Sequence, residues 1–316
     1  MIVAVVFCLF AGLEGVPAVL SSPTRSLSIL ESDMFPADKK LRWCSSFHSR
    51  SFYFSFYQSI SSSLAPRLPM SEFQPSPDTT EVTFVTDVQK FPSYLLKEQS
   101  YSTSAGHFVA QLEKLSSTYE AMRVVKGDGS CFYRSLLYRL AELLKSNEAE
   151  RVRLLEYVKG SLKTLTNLGY DEFTMEGFQE ELVELLEVHI PKATAGELDL
   201  HVLLNDPHGI SQACTWYCRP LCSAYMKTYP DQFMPFIESH PDIDAFCKAE
   251  VEPSFRECEQ LQIIALTSAL RIKVNVVYLD GHDAENVQTH SFGEGLLEMT
   301  MLYRPGHYDI LLEKEG

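Results

Sequence analysis

From residue 106 onward, apolar positions recur at intervals of three and four, the period of helices that bury one face. The spacing predicts a helix over 106–122 (Phe108, Leu112, Leu115, Tyr119, Met122). A second opens near Phe132, carries Leu136, Leu140 and Leu143/Leu144, and ends by Lys145-Ser146-Asn147. Helices follow over 148–168 and over 175–188, the latter stopped by Pro191. Shorter or later candidates cover 195–205, 211–228 and 253–270, with a turn or two over 242–247. Towards the end the period changes to two. Ile272-Lys273-Val274-Asn275-Val276 alternates and continues to the turn Asp280-Gly281, and 298–303 and 307–312 read as two more strands around the tight turn Arg304-Pro305-Gly306. The pattern predicts an α+β domain, a small sheet surrounded by helices.

Before residue 81 neither period is sustained. Residues 21–80 are rich in serine, proline and aromatics, as in Ser59-Ile60-Ser61-Ser62-Ser63, a low-complexity composition expected to stay disordered. The chain therefore divides into an extension, 1–80, and one folded domain, 81–316. The apolar run Ile2-Val3-Ala4-Val5-Val6-Phe7-Cys8-Leu9-Phe10 has the character of a secretory-signal core. It lacks a preceding basic residue, Glu14 interrupts the stretch, and it is too short to span a membrane, so a dispensable extension is the alternative.

Charge and cysteine usage narrow the partners. A net charge of -15 argues against nucleic acid and suits a basic protein partner. The 8 cysteines show no dense framework spacing, which fits reduced thiols in a cytosolic-type protein. Cys214, Cys218 and Cys222 recur every four residues along one helical face. They read either as a metal site or as small hydrophobes packed with Trp216, Tyr217 and Tyr225. The lack of a nearby fourth ligand favours packing, and no metal or cofactor is expected.

The candidate chemistry sits at two places. Gly127-Asp128-Gly129-Ser130-Cys131-Phe132-Tyr133-Arg134 is a glycine-punctuated turn that puts Cys131 in the first turn of a helix. Backbone N–H groups there lack intrahelical partners and the helix dipole is positive, which favours a thiolate over a thiol. Gly127 and Gly129 allow a tight turn whose N–H groups face a reacting carbonyl. Nearly 180 residues later, His307 and Asp309 lie two apart on a predicted strand. Their side chains share one face about 7 Å apart at Cα, close enough for a carboxylate to accept from an imidazole, while Tyr308 and Ile310 point into a core layer. A histidine that takes a thiol proton and an acid that fixes its tautomer are what a cysteine hydrolase needs.

At these residues the chain resembles the ovarian-tumour (OTU) family of cysteine deubiquitinases, in its otubain branch. Asp128-Gly129-Ser130-Cys131-Phe132-Tyr133-Arg134 is similar to the family's nucleophile motif, and Tyr303-Arg304-Pro305-Gly306-His307-Tyr308-Asp309-Ile310-Leu311 to its histidine motif. Glu250-Val251-Glu252-Pro253 and Ile263-Ile264-Ala265-Leu266 resemble otubain core segments, so the likeness runs from about residue 82 to 316. It implies a papain-like α+β OTU domain that cleaves isopeptide bonds after the C-terminal glycine of ubiquitin. By motif, Cys131 is the nucleophile, His307 the general base and Asp309 its orienter. Asp128 belongs to the active-site set, its loop backbone and the Cys131 N–H forming an oxyanion hole. The implied partners are ubiquitin and polyubiquitin chains, with ubiquitin-conjugating enzymes as candidates for a second class and neither nucleic acid nor membrane. A monomer working in the cytoplasm, with the nucleus as a second compartment, is expected. The alternative is a non-catalytic ubiquitin-binding regulator that inhibits conjugating enzymes. Ser130 departs from the asparagine usual before the cysteine in otubains.

Overall fold

Strand alternation at the end of the chain builds the middle of one mixed sheet. The computed structural model describes residues 83–99, 105–279 and 287–314; the 1–80 extension and its apolar run lie outside them. Within the described residues the elements are β1 (Gln89–Lys90), α1 (Ser93–Gln99), α2 (Ala105–Leu115), β2 (Tyr119–Arg123) and α3 (Cys131–Leu144). They continue with α4 (Glu148–Asn167), α5 (Glu172–Glu184), α6 (Ile190–Thr194), α7 (Leu200–Asn205), α8 (Ile210–Thr228), α9 (Pro230–Phe233) and α10 (Ile243–Phe246). The last are α11 (Gln260–Leu270), β3 (Lys273–Tyr278), β4 (Thr289–Phe292), β5 (Glu298–Arg304) and β6 (His307–Glu313).

The sheet is six-stranded in the order β1-β2-β6-β5-β3-β4. β3 and β5 pair parallel, and the other neighbours are antiparallel. Because successive side chains alternate between faces, the sheet serves two cores. Val274, Val276, Met299, Met301, Tyr308 and Ile310 join the large helical core. Val277, Leu302 and Leu311 meet Met122 of β2, Leu95 of α1 and Leu112 and Leu115 of α2 on the opposite side. The α+β expectation holds, and so does the inward placement of Tyr308 and Ile310. Helix starts follow local chemistry. Asn147, Asp171, Asp199 and Asp242 each accept from a first-turn N–H, and Glu259 with Gln262 makes a capping box at α11.

Three expectations are corrected. The helix predicted over 106–122 stops at Leu115, and Tyr119 and Met122 belong to β2. Two apolar residues three apart fit a helix, but here Glu120 between them is exposed and Ala121 half-buried, and the segment pairs with β6 on one side and β1 on the other. Pro191 does not stop its helix. A π turn over Leu185–His189 follows α5, and proline enters at the start of α6. The wider turn relieves the clash that a proline ring makes with the carbonyl four residues earlier. Helix α11 begins at Gln260, not 253, because the chain at Phe255 takes the left-handed φ of 65°. The three thiols at 214, 218 and 222 are buried on α8, in the helical core. Among the described residues, no helix is long and apolar enough to cross a membrane.

Candidate active site

The fold brings the two ends of the domain together because α3 packs on β6. Residues 127–130 lead from β2 into α3, and the start of β6 lies beside that turn. Gly129 holds φ 74°, and a Cβ there would stand 2.1 Å from the Phe255 carbonyl oxygen. Only glycine fits, for both conformation and space. Gly127 serves differently from the tight turn expected of it. Its φ is not in the left-handed region, and a Cβ there would touch the His307 ring at 3.5 Å from Nδ1. That is an ordinary van der Waals distance, so neither conformation nor space demands glycine at 127 as both do at 129.

Cys131 opens α3 and is 4% exposed. His307 Nε2 lies 2.8 Å from Asp309 Oδ1. With Nε2 so engaged, Nδ1 is the ring nitrogen left for the Cys131 sulfur, with which His307 also hydrogen-bonds. Asp309 is fully buried and accepts from three groups. Val125 N–H donates to Oδ1 at 2.9 Å, His307 shares that oxygen, and Arg304 donates to Oδ2 at 2.7 Å. Burial alone would raise the carboxyl pKa, but His307, the Arg304 charge and the Val125 N–H outweigh it and hold Asp309 below the usual carboxylate range. For His307, burial would lower the pKa; Asp309 and the Cys131 sulfur override it and hold the imidazole at about 9. Such an imidazole is a base strong enough to take a proton from the thiol it faces.

Among the described residues, the Asp128 carboxylate bonds to Ser130 and Arg134 and not to His307. Its Oδ1 accepts from Ser130 N–H at 3.1 Å and its Oδ2 pairs with Arg134 at 2.6 Å. Arg134 is itself buried, bonded to Gln212 at 2.9 Å, and stacked on Phe84 at 4.2 Å. The carboxylate is thus spent on the turn. The Asp128 N–H donates to the Lys126 carbonyl at 3.1 Å, which leaves the Gly129 and Cys131 N–H groups without an acceptor among the described residues. The Ser130 side chain does not cap α3; its hydroxyl accepts from Arg219 at 3.1 Å.

The otubain family model, Peptidase C65 Otubain, matches residues 78–313, most of the chain. The chain belongs to the otubain family. Its curated relatives include the human ubiquitin thioesterase OTUB1, 34% identical over 220 residues, 69% of this chain and 79% of that protein. The Caenorhabditis elegans ubiquitin thioesterase otubain-like is 31% identical over 71% of this otubain and 80% of its own length. A deubiquitinating enzyme of Arabidopsis thaliana with an ovarian-tumour domain is 33% identical over 77% and 86%. Among solved structures, a complex of OTUB1 with ubiquitin aldehyde and UBCH5B~Ub superposes with a TM-score of 0.67 at 26% identity, covering 84% of this otubain and 98% of that chain. A ceOTUB1 complex with ubiquitin aldehyde and UBC13~Ub gives the same score over 83% and 99%.

Of the four residues expected from sequence, the otubain site joins Cys131, His307 and Asp309 in one hydrogen-bonded line and sets Asp128 behind the turn. Sequence reasoning missed Arg304 and the Val125 N–H. Arg304 was within reach: a Pro305-Gly306 turn places Arg304 opposite His307, so a side chain at 304 lies diagonal to 309. Val125 offered no signal, because a backbone donor is independent of residue type.

Proposed function

We infer that this otubain is a thiol-dependent ubiquitinyl hydrolase that cleaves isopeptide bonds after the C-terminal glycine of ubiquitin. The observation that carries this reading is the unbroken line from a helix-seated thiol through His307 to a buried carboxylate, on a chain whose relatives are ubiquitin thioesterases. His307 Nδ1 takes the Cys131 proton, and the thiolate attacks the glycine carbonyl carbon. The N–H groups of Gly129 and Cys131 are placed to bind the developing oxyanion. His307 then gives its proton to the departing lysine amine as the carbon–nitrogen bond breaks. Water, deprotonated by His307, hydrolyses the thioester and frees Cys131. Asp309 keeps the imidazole facing Cys131 throughout, and Asp128 with Arg134 shapes the turn.

Wild-type protein should convert diubiquitin to ubiquitin, and Cys131→Ala should not. Uncleaved diubiquitin with folded wild type, across all linkages, would refute the reading. The solved complexes favour a second property, binding of ubiquitin-conjugating enzymes, since OTUB1 is seen there with UBCH5B~Ub and ceOTUB1 with UBC13~Ub. The Cys131→Ala protein should then still slow ubiquitin discharge from a conjugating enzyme.

The site also fixes a pH dependence. The imidazolium is needed for amine departure, so kcat/KM should fall as pH rises through about 9. The sign for stability agrees. A raised pKa contributes stability that is complete below the ordinary histidine value of about 6.5. That stability is lost as pH passes about 9. Asp309, with its pKa lowered, contributes above the ordinary aspartate value and loses that contribution as pH falls through its own pKa. Asp309→Asn removes the charge that holds the imidazole proton, so the alkaline limb should move down towards about 6.5. A kcat/KM profile on a fluorogenic ubiquitin amide from pH 6 to 10.5 checks this; a limb that stays put would exclude Asp309 as the cause.

A further inference from the structure

Arg219 lies mid-way along α8, far from the nucleophile in sequence, and is 1% exposed. Its guanidinium donates to the Val251 carbonyl at 3.2 Å, the Gly129 carbonyl at 3.0 Å, the Arg256 carbonyl at 2.9 Å and Ser130 Oγ at 3.1 Å. It also stacks over the Tyr133 ring at 4.4 Å. Every one of these acceptors is neutral. Among the described residues it makes no ion pair, unlike Arg134, which pairs with Asp128. A charge taken out of water without a counter-ion is expensive, so the position demands an explanation beyond filling space.

The bonds supply one. The Gly129–Ser130 peptide is held at both ends, its carbonyl by Arg219 and its N–H by Asp128 Oδ1. The two N–H groups proposed for the oxyanion, those of Gly129 and Cys131, flank this peptide. The same guanidinium grips the Arg256 carbonyl, next to the Phe255 carbonyl against which Gly129 packs. We propose that Arg219 is a positioning residue for acyl transfer, a buried cation that fixes the nucleophile turn against the 251–256 segment and so aims the oxyanion donors. The inference rests on the ubiquitinyl hydrolase reading. It also assigns a role to Ser130, whose hydroxyl is one of the four grips. Lysine cannot replace this arginine, because one compact ammonium cannot span acceptors on both sides of a planar fork.

The test measures kcat and KM on a fluorogenic ubiquitin amide for wild type, Arg219→Lys and Ser130→Ala. Circular dichroism reports folding, and ubiquitin affinity is read by calorimetry in a Cys131→Ala background. Arg219→Lys should lower kcat by about 10- to 100-fold, the scale of a small misplacement of reacting groups, with KM and affinity within about twofold. Ser130→Ala should move kcat the same way by about threefold, having lost one grip. A folded Arg219→Lys protein with wild-type kcat would overturn the proposal. So would an equal loss of kcat and affinity, which marks a packing role. If Arg219→Lys does not fold, Ser130→Ala decides, and an unchanged kcat there overturns it. An inactive wild type would instead refute the hydrolase reading itself.

Discussion

His307→Ala should lower kcat by about 10³- to 10⁴-fold while ubiquitin affinity stays within about threefold. The imidazole is the group that both receives the thiol proton and returns it to the leaving amine, so its loss touches both halves of the reaction. Its loss should spare the fold. Asp309 would keep the Val125 N–H and the Arg304 guanidinium, so the buried carboxylate remains paired. Single-turnover cleavage of diubiquitin, with affinity measured separately, separates the chemistry from docking. A matching loss of affinity would mean that His307 holds the binding surface and not the proton.

Gly129→Ala should lower kcat/KM by about 10²-fold or more, although it adds a single methyl group. The added Cβ would lie 2.1 Å from the Phe255 oxygen and 2.4 Å from its carbonyl carbon. These are backbone atoms and cannot swing aside like the end of a flexible side chain. Either the nucleophile turn or the 253–259 segment must move, and the oxyanion donors move with it. Gly169→Ala is the control. Gly169 also has a left-handed φ, 87°, but nothing lies within 4 Å of its Cβ position. It should cost about 1–2 kcal/mol of stability through backbone strain alone and leave turnover unchanged. Equal effects of the two substitutions would mean that conformation, and not the Phe255 contact, limits position 129.

Much of this was legible in the sequence because its signals are local. The amphipathic spacing of α3, α4 and α8 gives their extents to within a residue or two at most ends. The alternation of 272–279 and the Pro305-Gly306 turn give β3, β5 and β6. What escaped reading has a physical cause in each case. Strand β2 has its buried residues, Tyr119 and Met122, three apart, which a bulge in its pairing with β6 permits and a helix would also produce. Strands β1 and β4 are edge strands, one of two residues and one of four with no buried side chain. A short or exposed strand needs little of the apolar patterning that periodicity detects.

The site divides the same way. Cys131, His307 and Asp309 stand out by residue type and by their place on a helix start or strand. Arg304 and Arg219 act through contacts made by pairing and packing, across a hairpin in one case and across 89 residues in the other. The one sequence-level hint for Arg219 is a charge set between Cys218 and Pro220 on a helix otherwise rich in small and aromatic residues. Asp128 shows the converse. Its place in the motif marks it as important, and only its contacts show that its carboxylate is engaged with Ser130 and Arg134.

Everything proposed for this site requires that Cys131 be a nucleophile aimed at the C-terminus of ubiquitin. A ubiquitin carrying an electrophile in place of its last carbonyl tests it most directly, with the adduct mapped by mass spectrometry. Wild-type protein should form one covalent adduct, on Cys131, and Cys131→Ala should form none. An adduct on another of the cysteines, or no adduct from folded protein that binds ubiquitin, would contradict it.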